Sequence, residues 1–354
     1  MIVDAQLQAA PLPDVPVRAA AAEQSGFQGL WVAETDHDPF VPLTLAAEHT
    51  AKLDLGTSIA VAFARNPMTL ATVANDLQLL SAGRFKLGLG SQIKPHIERR
   101  FSMPWSAPAA RMREMVLAIR AIWAAWETSE RLNFRGEFYT HTLMTPFFDP
   151  GPNPFGNPQI FIAAVGERMT EVAGEVGDGL FVHGFSTVRY LSEVTIPALL
   201  RGVDAAGRSR QDVQVSYPGF VVTGDDDQAF AASARRVRQQ IAFYGSTPAY
   251  RPVLDLEGWG ELADELHRLS TTPDSDRWDR MADLIDDDVL ARFAVVAPVD
   301  QVAARVHERF DTLVDRFTLD LAATQPAARS TALEAIIAGL QAGTPQANVA
   351  ASGA

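Results

Sequence analysis

The sequence predicts an α/β protein in which residues 1–340 form a single (β/α)8 TIM barrel, and three observations lead to this fold class. Short apolar runs rich in β-branched residues alternate with stretches whose apolar residues recur at helical spacing. Eight such runs are present, and strands that alternate with helices form right-handed βαβ units around a parallel sheet. The length of 354 residues accommodates a barrel of about 250 residues together with insertions.

The predicted elements follow one another with turn residues between them. The strands are Ile2–Ala9, Gly29–Glu34, Asp54–Val61, Phe85–Ser91, Gln159–Val165, Gly179–Gly184, Val213–Val222 and Asp315–Leu321. The helices between them include Val15–Ser25, Pro67–Leu80, Ala110–Trp126 and Met169–Val176. The last of these has apolar residues at positions 169, 172, 173 and 176, which is the spacing of a helix with one buried face.

Two segments interrupt the alternation. Residues 127–158 are rich in Pro, Gly and aromatic residues, and residues 245–292 contain two Trp and an acidic run at 286–288. Long connections in barrels commonly carry substrate loops, so we expect both segments to be insertions over the carboxyl-terminal mouth. Residues 341–354 are rich in small residues, and we expect a flexible tail there.

Composition excludes several classes of function. The net charge of −13 argues against a nucleic-acid partner, because phosphate binding needs a basic excess. The chain has no cysteine, which excludes disulfides, thiolate metal sites and cysteine nucleophiles. The seven histidines show no paired spacing, so no metal site is predicted. No secretion signal and no apolar run of about 18 residues is present, so we expect a cytoplasmic protein with no membrane contact and a small-molecule partner.

The end of the second predicted strand carries the first candidate for chemistry. There His37 is flanked by Asp36 and Asp38, and a carboxylate can orient an imidazole as a proton donor. The alternative is that Asp36 or Asp38 caps the helix that follows Pro39. The two roles are compatible.

The fourth strand runs into Gly88-Leu89-Gly90-Ser91-Gln92-Ile93, which begins like a dinucleotide fingerprint. Because Ile93 stands where the third glycine belongs, that interpretation fails. The glycines then serve either close approach of a flat ligand or packing. The basic residues that follow form either a solvated helix face or a site for an anionic ligand; they are Lys94, His96, Arg99, Arg100, Arg111 and Arg113.

The fifth strand ends at Val165-Gly166-Glu167-Arg168, where a helix begins. Glycine at such a junction leaves backbone N–H groups free at a helix N-terminus, which favours a phosphate site. Glu167 would repel phosphate unless its side chain turns outward, and Arg168 could compensate.

Together these segments resemble the luciferase-like monooxygenase family, in particular its coenzyme F420-dependent oxidoreductases. The resemblance runs from Val3 to about Leu321, and FMN-dependent relatives share the same framework. It rests on an ordered set of segments: 26–31, Asp36-His37, 55–59 with Asn66-Pro67, 81–90, 173–179 and 293–296.

The resemblance implies roles for particular residues. Asp36 matches a position that contacts the deazaflavin ring, and His37 matches the neighbouring proton donor. Ser58 and Ile59 match a cis peptide that forms a bulge behind the ring. Positions that match further cofactor contacts are Val61, Ser91, Gln92 and His96. Those that match the phosphate-binding turn are Val165, Gly166, Arg168 and Met169.

Two departures from the family pattern bear on the substrate. The sugar-phosphate dehydrogenases of the family carry a catalytic Glu where this chain has Ile93, and a substrate-binding Lys where it has Ser186. The resemblance therefore implies hydride transfer between the deazaflavin and a small uncharged or hydrophobic organic substrate. Four aromatic residues are either pocket walls or ordinary core: Trp105, Tyr139, Phe147 and Phe148.

Two alternatives to this function stay open. One is an FMN-dependent monooxygenase that uses reduced flavin and dioxygen. The other is a non-catalytic flavin-binding barrel. The resemblance also implies a homodimer.

Overall fold

A computed structural model describes residues 1–7, 10–320 and 331–343. Within these residues the strands are β1 Ile2–Leu7, β2 Gly29–Val32, β3 Asp54–Thr57, β4 Ala60–Val61, β5 Phe85–Gly90, β6 Phe134–Arg135, β7 Thr140–His141, β8 Gln159–Ala164, β9 Gly179–Val182, β10 Gln214–Tyr217, β11 Phe220–Val222, β12 Ala294–Val296 and β13 Arg316–Asp320.

The helices of the described residues surround these strands. They are α1 Val15–Gln24, α2 Phe40–His49, α3 Pro67–Leu80, α4 Pro108–Thr128, α5 Glu167–Val176, α6 Val188–Tyr190, α7 Ile196–Ala205, α8 Asp227–Gly245, α9 Arg251–Glu257, α10 Gly260–Ser270, α11 Arg277–Asp283, α12 Asp287–Phe293, α13 Val302–Phe310 and α14 Thr331–Ala342. Helix α3 has the predicted bounds because Pro67 occupies its first turn and the Asn66 side chain accepts the Thr69 N–H. In the described part of the chain, no helix combines the length and apolarity needed to cross a bilayer.

Nine strands close into one parallel ring. Their order is β3-β2-β1-β13-β10-β9-β8-β5-β4, and pairing of β3 with β5 completes the circle. Because β3 and β4 share one position, the ring has eight positions and the predicted TIM barrel is confirmed. The predicted seventh strand divides into β10, which stays in the ring, and β11, which leaves it to pair with β12. The predicted strand ends at Ala9 and Leu321 lie outside the described residues, as does most of the predicted tail.

Side chains fill the barrel interior beneath its carboxyl-terminal mouth. At the amino-terminal end, buried Arg316 donates to both carboxylate oxygens of Asp4, at 2.7 and 2.8 Å, and to Asp54 at 3.0 Å. Above this ion pair lie the rings of Trp31, Phe161 and Phe181. The Trp31 and Phe181 centroids are 5.1 Å apart although β2 and β9 occupy opposite positions of the ring. A ligand of the barrel therefore binds above these rings.

The segment 127–158 connects the end of α4 to the start of β8, and it reaches the mouth only through its hairpin. Strands β6 and β7 run back along α4, where the Glu114 carboxylate accepts the backbone N–H groups of residues 137 to 139. Beyond the hairpin, the Asn153 side chain donates to Asn75 on α3. Most of this segment therefore packs on the outer helices.

The second inserted segment is longer than predicted. It spans residues 218–301, between β10 and α13, and we call it the excursion. It holds helices α8 to α12 and the parallel pair β11–β12. Its apolar side chains, which include Ile241, Leu254, Leu266 and Phe293, form a second cluster together with Phe185 from the loop after β9. Because it starts at the carboxyl end of β10, this excursion lies on the mouth side of the barrel.

Candidate active site at the mouth of the barrel

A buried carboxylate, that of Glu34, joins the loop after β2 to the end of β4. Its side chain is 6% exposed and accepts the Val61 N–H at 2.7 Å and Arg65 Nη1 at 2.6 Å. Arg65 also donates to Asp38 at 2.7 Å. Burial lowers the pKa of Arg65, but the two carboxylates outweigh burial and the pKa is raised. Sequence reasoning missed the role of Glu34, which it placed at the end of the second predicted strand; the observed strand ends two residues earlier, at Val32.

Asp36 and His37 lie on this loop with accessible side chains. Asp36 Oδ2 is 3.9 Å from His37 Nε2. The hydroxyl of Thr35 donates to Asp36 at 2.8 Å, and this hydrogen bond lowers the pKa of Asp36. Asp38 accepts the N–H of Phe40, the first residue of α2, at 3.0 Å. Of the two predicted capping candidates, Asp38 thus serves the helix and Asp36 faces the imidazole.

A bulge separates β3 from β4, and its Ser58–Ile59 peptide is cis, as the resemblance implies. Ser58 N–H donates to Val32 O at 2.7 Å, and Glu34 N–H donates to Ile59 O at 3.1 Å. The Ile59 side chain packs on the interior ring cluster. The loop that carries His37 and the bulge are therefore hydrogen-bonded to each other above an apolar floor.

The two glycines of β5 serve packing. A Cβ on Gly88 would lie 1.8 Å from Thr57 O, and one on Gly90 would lie 2.6 Å from Ile59 Cγ1. Both positions are filled by the barrel itself, so the glycines make room for the bulge and not for a ligand.

Three predicted contact residues follow β5. Ser91 is half-buried and its hydroxyl donates to Gln92 O at 3.1 Å. Gln92 has φ of 59°, and its side chain accepts the Ile93 N–H at 3.0 Å. His96 is exposed. Ile93, which replaces the Glu of sugar-phosphate dehydrogenases, is 54% exposed and offers no proton-transfer group.

Only part of the predicted basic cluster is exposed near the mouth in the structure. Arg111 is buried with its guanidinium over the Phe63 ring, and Arg113 pairs with Glu175 on α5. Arg111 is thus buried and Arg113 is paired with a carboxylate, and a count of charges can detect neither. The basic side chains that remain exposed near the mouth are Lys94, His96, Arg99 and Arg100.

The junction after β8 is open at the start of α5, and the phosphate site there stays a prediction. Nothing lies within 4 Å of a Cβ built on Gly166, which is the residue before α5. The Glu167 carboxylate is turned aside, since Arg201 of α7 donates to it at 2.6 Å. Arg168 is exposed, and among the described residues no hydrogen-bond partner holds its guanidinium. Beside it, Val165 is 40% exposed and Met169 is half-buried.

His183, which sequence reasoning also missed, is the first residue after β9. Phe185 N–H donates to its Nδ1 at 3.1 Å, and its Nε2 is 3.1 Å from the Tyr250 hydroxyl. The two rings are stacked with centroids 4.4 Å apart. Burial lowers the pKa of His183 to about 4. The predicted strand runs to Gly184 and so includes His183, whereas the observed strand ends at Val182.

The four aromatic residues predicted as pocket walls or core separate into two pairs. Trp105 packs edge-on against Phe63 near the mouth, at 5.8 Å, and the Tyr139 hydroxyl accepts a hydrogen bond from Arg111. Phe147 and Phe148 are 90% and 70% exposed, so the prediction that they belong to the core was wrong. They lie in the connection from α4 to β8, and a role as pocket walls stays a prediction. Ser186, at the position of the substrate-binding Lys, is buried.

The donor set at the mouth fits a flat ring with an anionic side chain. Ile59 and the rings beneath it provide an apolar bed, while His37, Ser91 and Gln92 provide polar groups at its rim. The first N–H groups of α5, together with Arg168, suit a phosphate. Across residues 1–7, 10–320 and 331–343, no group of three His, Cys, Asp or Glu side chains could hold a metal ion.

Comparison with known proteins adds four findings. A family model described as luciferase-like monooxygenase matches residues 3–316. An uncharacterised protein of Mycobacterium tuberculosis is 58% identical over 298 residues, 84% of this chain and 87% of that protein. An F420-dependent glucose-6-phosphate dehydrogenase of Amycolatopsis mediterranei is 25% identical over 321 residues, 84% of this chain and 85% of the enzyme. The solved structure of coenzyme F420-dependent tetrahydromethanopterin reductase from Methanopyrus kandleri has a TM-score of 0.78, covers 96% of this chain and 98% of its own, and is 18% identical.

Proposed function

The chain belongs to the luciferase-like monooxygenase family, and we propose that it is a coenzyme F420-dependent oxidoreductase. It transfers a hydride between C5 of the deazaflavin and a small organic substrate that is uncharged or hydrophobic. The observation that carries this proposal is the Asp36–His37 pair on a loop hydrogen-bonded to the Ser58–Ile59 bulge, at the open end of a filled barrel.

In such an enzyme, each of these residues at the mouth has a separate role. When bound, the deazaflavin supplies the carbon that gives or takes the hydride. Ile59 supports the ring, and the N-terminus of α5 with Arg168 binds the anionic side chain. His37 holds or moves the proton that accompanies the hydride, and Asp36 orients its imidazole.

The proposed substrate class rests on two charged residues of the sugar-phosphate dehydrogenases that this chain lacks. A sugar phosphate needs a charged partner for its phosphate, yet Ser186 stands buried at the position of the family's Lys. Ile93 likewise replaces the catalytic Glu. These two positions support an uncharged substrate, in contrast to that of the related glucose-6-phosphate dehydrogenase.

Cofactor titration tests the proposal. Purified full-length protein is titrated with coenzyme F420 and, separately, with FMN, and binding is followed by cofactor fluorescence. We expect saturable F420 binding that is tighter than FMN binding. Tight FMN binding without F420 binding would overturn the proposal.

A second candidate is an FMN-dependent monooxygenase, which the family description favours and which the apolar bed would also suit. Oxygen uptake with chemically reduced FMN and a candidate substrate tests it. Tight cofactor binding without turnover of any substrate would instead favour a non-catalytic flavin-binding barrel. We also propose that the protein is cytoplasmic and a homodimer, on the family resemblance alone.

A further inference from the structure

The stacked pair of His183 and Tyr250 lies above the barrel interior. Side chains along a strand alternate in direction, and Phe181, two residues before His183, packs on Trp31 and Phe161 inside the barrel. His183 therefore points inward, one strand repeat above Phe181. Since β9 lies opposite β2 in the ring, the imidazole lies on the opposite side of the mouth from the loop of His37.

The hydrogen bonds determine where the protons of this pair lie. The Phe185 N–H donates to His183 Nδ1, so that nitrogen carries no proton. In the neutral imidazole the proton is then on Nε2, and Nε2 donates to the Tyr250 oxygen. The Tyr250 hydroxyl proton is left to point to another acceptor. Among the described residues, none lies within hydrogen-bond distance of it.

The side chains around the pair are aromatic. The Tyr244 ring lies edge-on to His183 at 4.7 Å, and the Phe185 ring is 5.8 Å from that of Tyr250. The described ring and hydrogen-bond contacts of His183 and Tyr250 involve no carboxylate, ammonium or guanidinium group. Flat apolar rings around one hydroxyl donor favour a flat, neutral molecule with an acceptor oxygen.

We propose that Tyr250 binds the substrate oxygen of a neutral, conjugated carbonyl compound, and that His183 is the positioning residue that aims its hydroxyl proton. This inference rests on the proposed function and names its substrate class. The hydrogen bond would draw electron density toward the oxygen and stabilise the negative charge that forms there when the conjugated carbonyl accepts a hydride from the deazaflavin. His37, across the mouth, would supply the proton that completes the reduction.

A spectroscopic probe tests the hydrogen bond without any cofactor. 4-Dimethylaminocinnamaldehyde is flat, neutral and conjugated, and its absorption band moves to longer wavelength when its oxygen accepts a hydrogen bond. Full-length protein is titrated with this aldehyde at pH 7.5. We expect saturable binding with a red-shifted band in the unchanged protein and in the control Tyr190→Phe, a buried tyrosine of the second apolar cluster.

The variants at the pair then separate donation from packing. In Tyr250→Phe we expect the red shift to be lost and the Kd to rise about three- to tenfold, because one neutral hydrogen bond is removed while the ring remains. In His183→Ala we expect a smaller shift, and in His183→Gln a partial recovery, because the glutamine amide can donate where Nε2–H does. Circular dichroism verifies that each variant is folded.

The outcomes separate this inference from the proposed function. If the aldehyde shows no red shift in the unchanged protein, or an equal shift in folded Tyr250→Phe, the inference is overturned even where F420 binds and is turned over. If the shift depends on Tyr250 but F420 does not bind, the carbonyl-binding site is supported and the proposal of F420 as cofactor is overturned.

Discussion

The two histidines of the mouth differ in their surroundings. His37 is 41% exposed and lies beside Asp36, whose pKa is lowered by the Thr35 hydroxyl. His183 is enclosed by aromatic rings, and burial lowers its pKa to about 4. His37 can therefore exchange protons with solvent, whereas His183 stays neutral across the physiological range.

Replacing His37 tests its role in proton transfer. We expect His37→Asn to lower kcat by about 10²- to 10⁴-fold, since general acid–base catalysis contributes that much, while the Kd for F420 changes little. The measurement is steady-state oxidation or reduction of F420 with a substrate that the unchanged protein converts. His49→Asn is the control, because His49 is exposed at the end of α2. Equal turnover in both variants would show that His37 carries no catalytic proton.

The lowered pKa of His183 makes stability depend on pH. Between pH 6.5 and pH 4 the unfolded chain binds a proton at this residue and the folded chain does not, so stability is lost as the pH falls. From pH 7.5 to pH 5 this loss is about 2 kcal/mol. Urea unfolding at the two pH values should therefore show a drop larger by that amount than in His183→Gln. Parallel pH dependence in the two proteins would contradict the assignment.

Elements around the mouth are joined by Glu34, which connects the loop after β2 to β4. We expect Glu34→Gln to lower the free energy of unfolding by about 1–3 kcal/mol, because Arg65 loses its buried carboxylate. The Kd for F420 should rise as well, since the loop after β2 loses its ion pair with Arg65 beside the bulge. Glu175→Gln is the matched control, since its pair with Arg113 is more exposed and is worth under about 1 kcal/mol. Equal unfolding energies for both variants would place Glu34 outside the supporting structure.

Gly90 at the end of β5 and Gly166 before α5 differ in the space available for a Cβ atom, so alanine should affect them differently. In Gly90→Ala the new Cβ collides with Ile59, and we expect a loss of about 1–3 kcal/mol in the free energy of unfolding. In Gly166→Ala the Cβ meets open space, and we expect a change within about 0.5 kcal/mol. Urea denaturation measures both. A tolerated alanine at position 90 would mean that Ile59 can move.

The whole barrel is closed at its amino-terminal end by Arg316, which donates to Asp4 and Asp54 and is 1% exposed. We expect Arg316→Met to cost about 3–5 kcal/mol of unfolding free energy, because Asp4 is left buried without its partner. The exposed control Arg305→Met, which loses only a pair with Glu308, should cost under about 1 kcal/mol.

A double variant separates a lost partner from lost packing. Asp4→Leu combined with Arg316→Met should recover most of the stability, since apolar groups can replace a buried ion pair. A double variant as unstable as the sum of its single changes would show that packing, not the uncompensated charge, sets the cost.

Much of the fold was predictable from local patterns. The strands of the ring are short runs buried on both sides, and such runs are visible in composition alone. Pairing of β11 with β12 was not predicted, because it joins residues more than 70 positions apart in the chain. At the site, the order of residues after each strand led to His37 and Gly166. It could not show that Arg111 is buried over the Phe63 ring, or that Tyr250, just before α9, meets His183.

The second apolar cluster bears on which substitutions this protein can accept. His37, the bulge and the N-terminus of α5 belong to the barrel, whereas Tyr250 and Tyr244 belong to the excursion 218–301 with its own packed interior. Substitutions within the excursion can accumulate without disturbing the ring of strands. A mutant library confined to residues 218–301 should therefore yield variants with new substrate preferences that keep the parent's affinity for its cofactor.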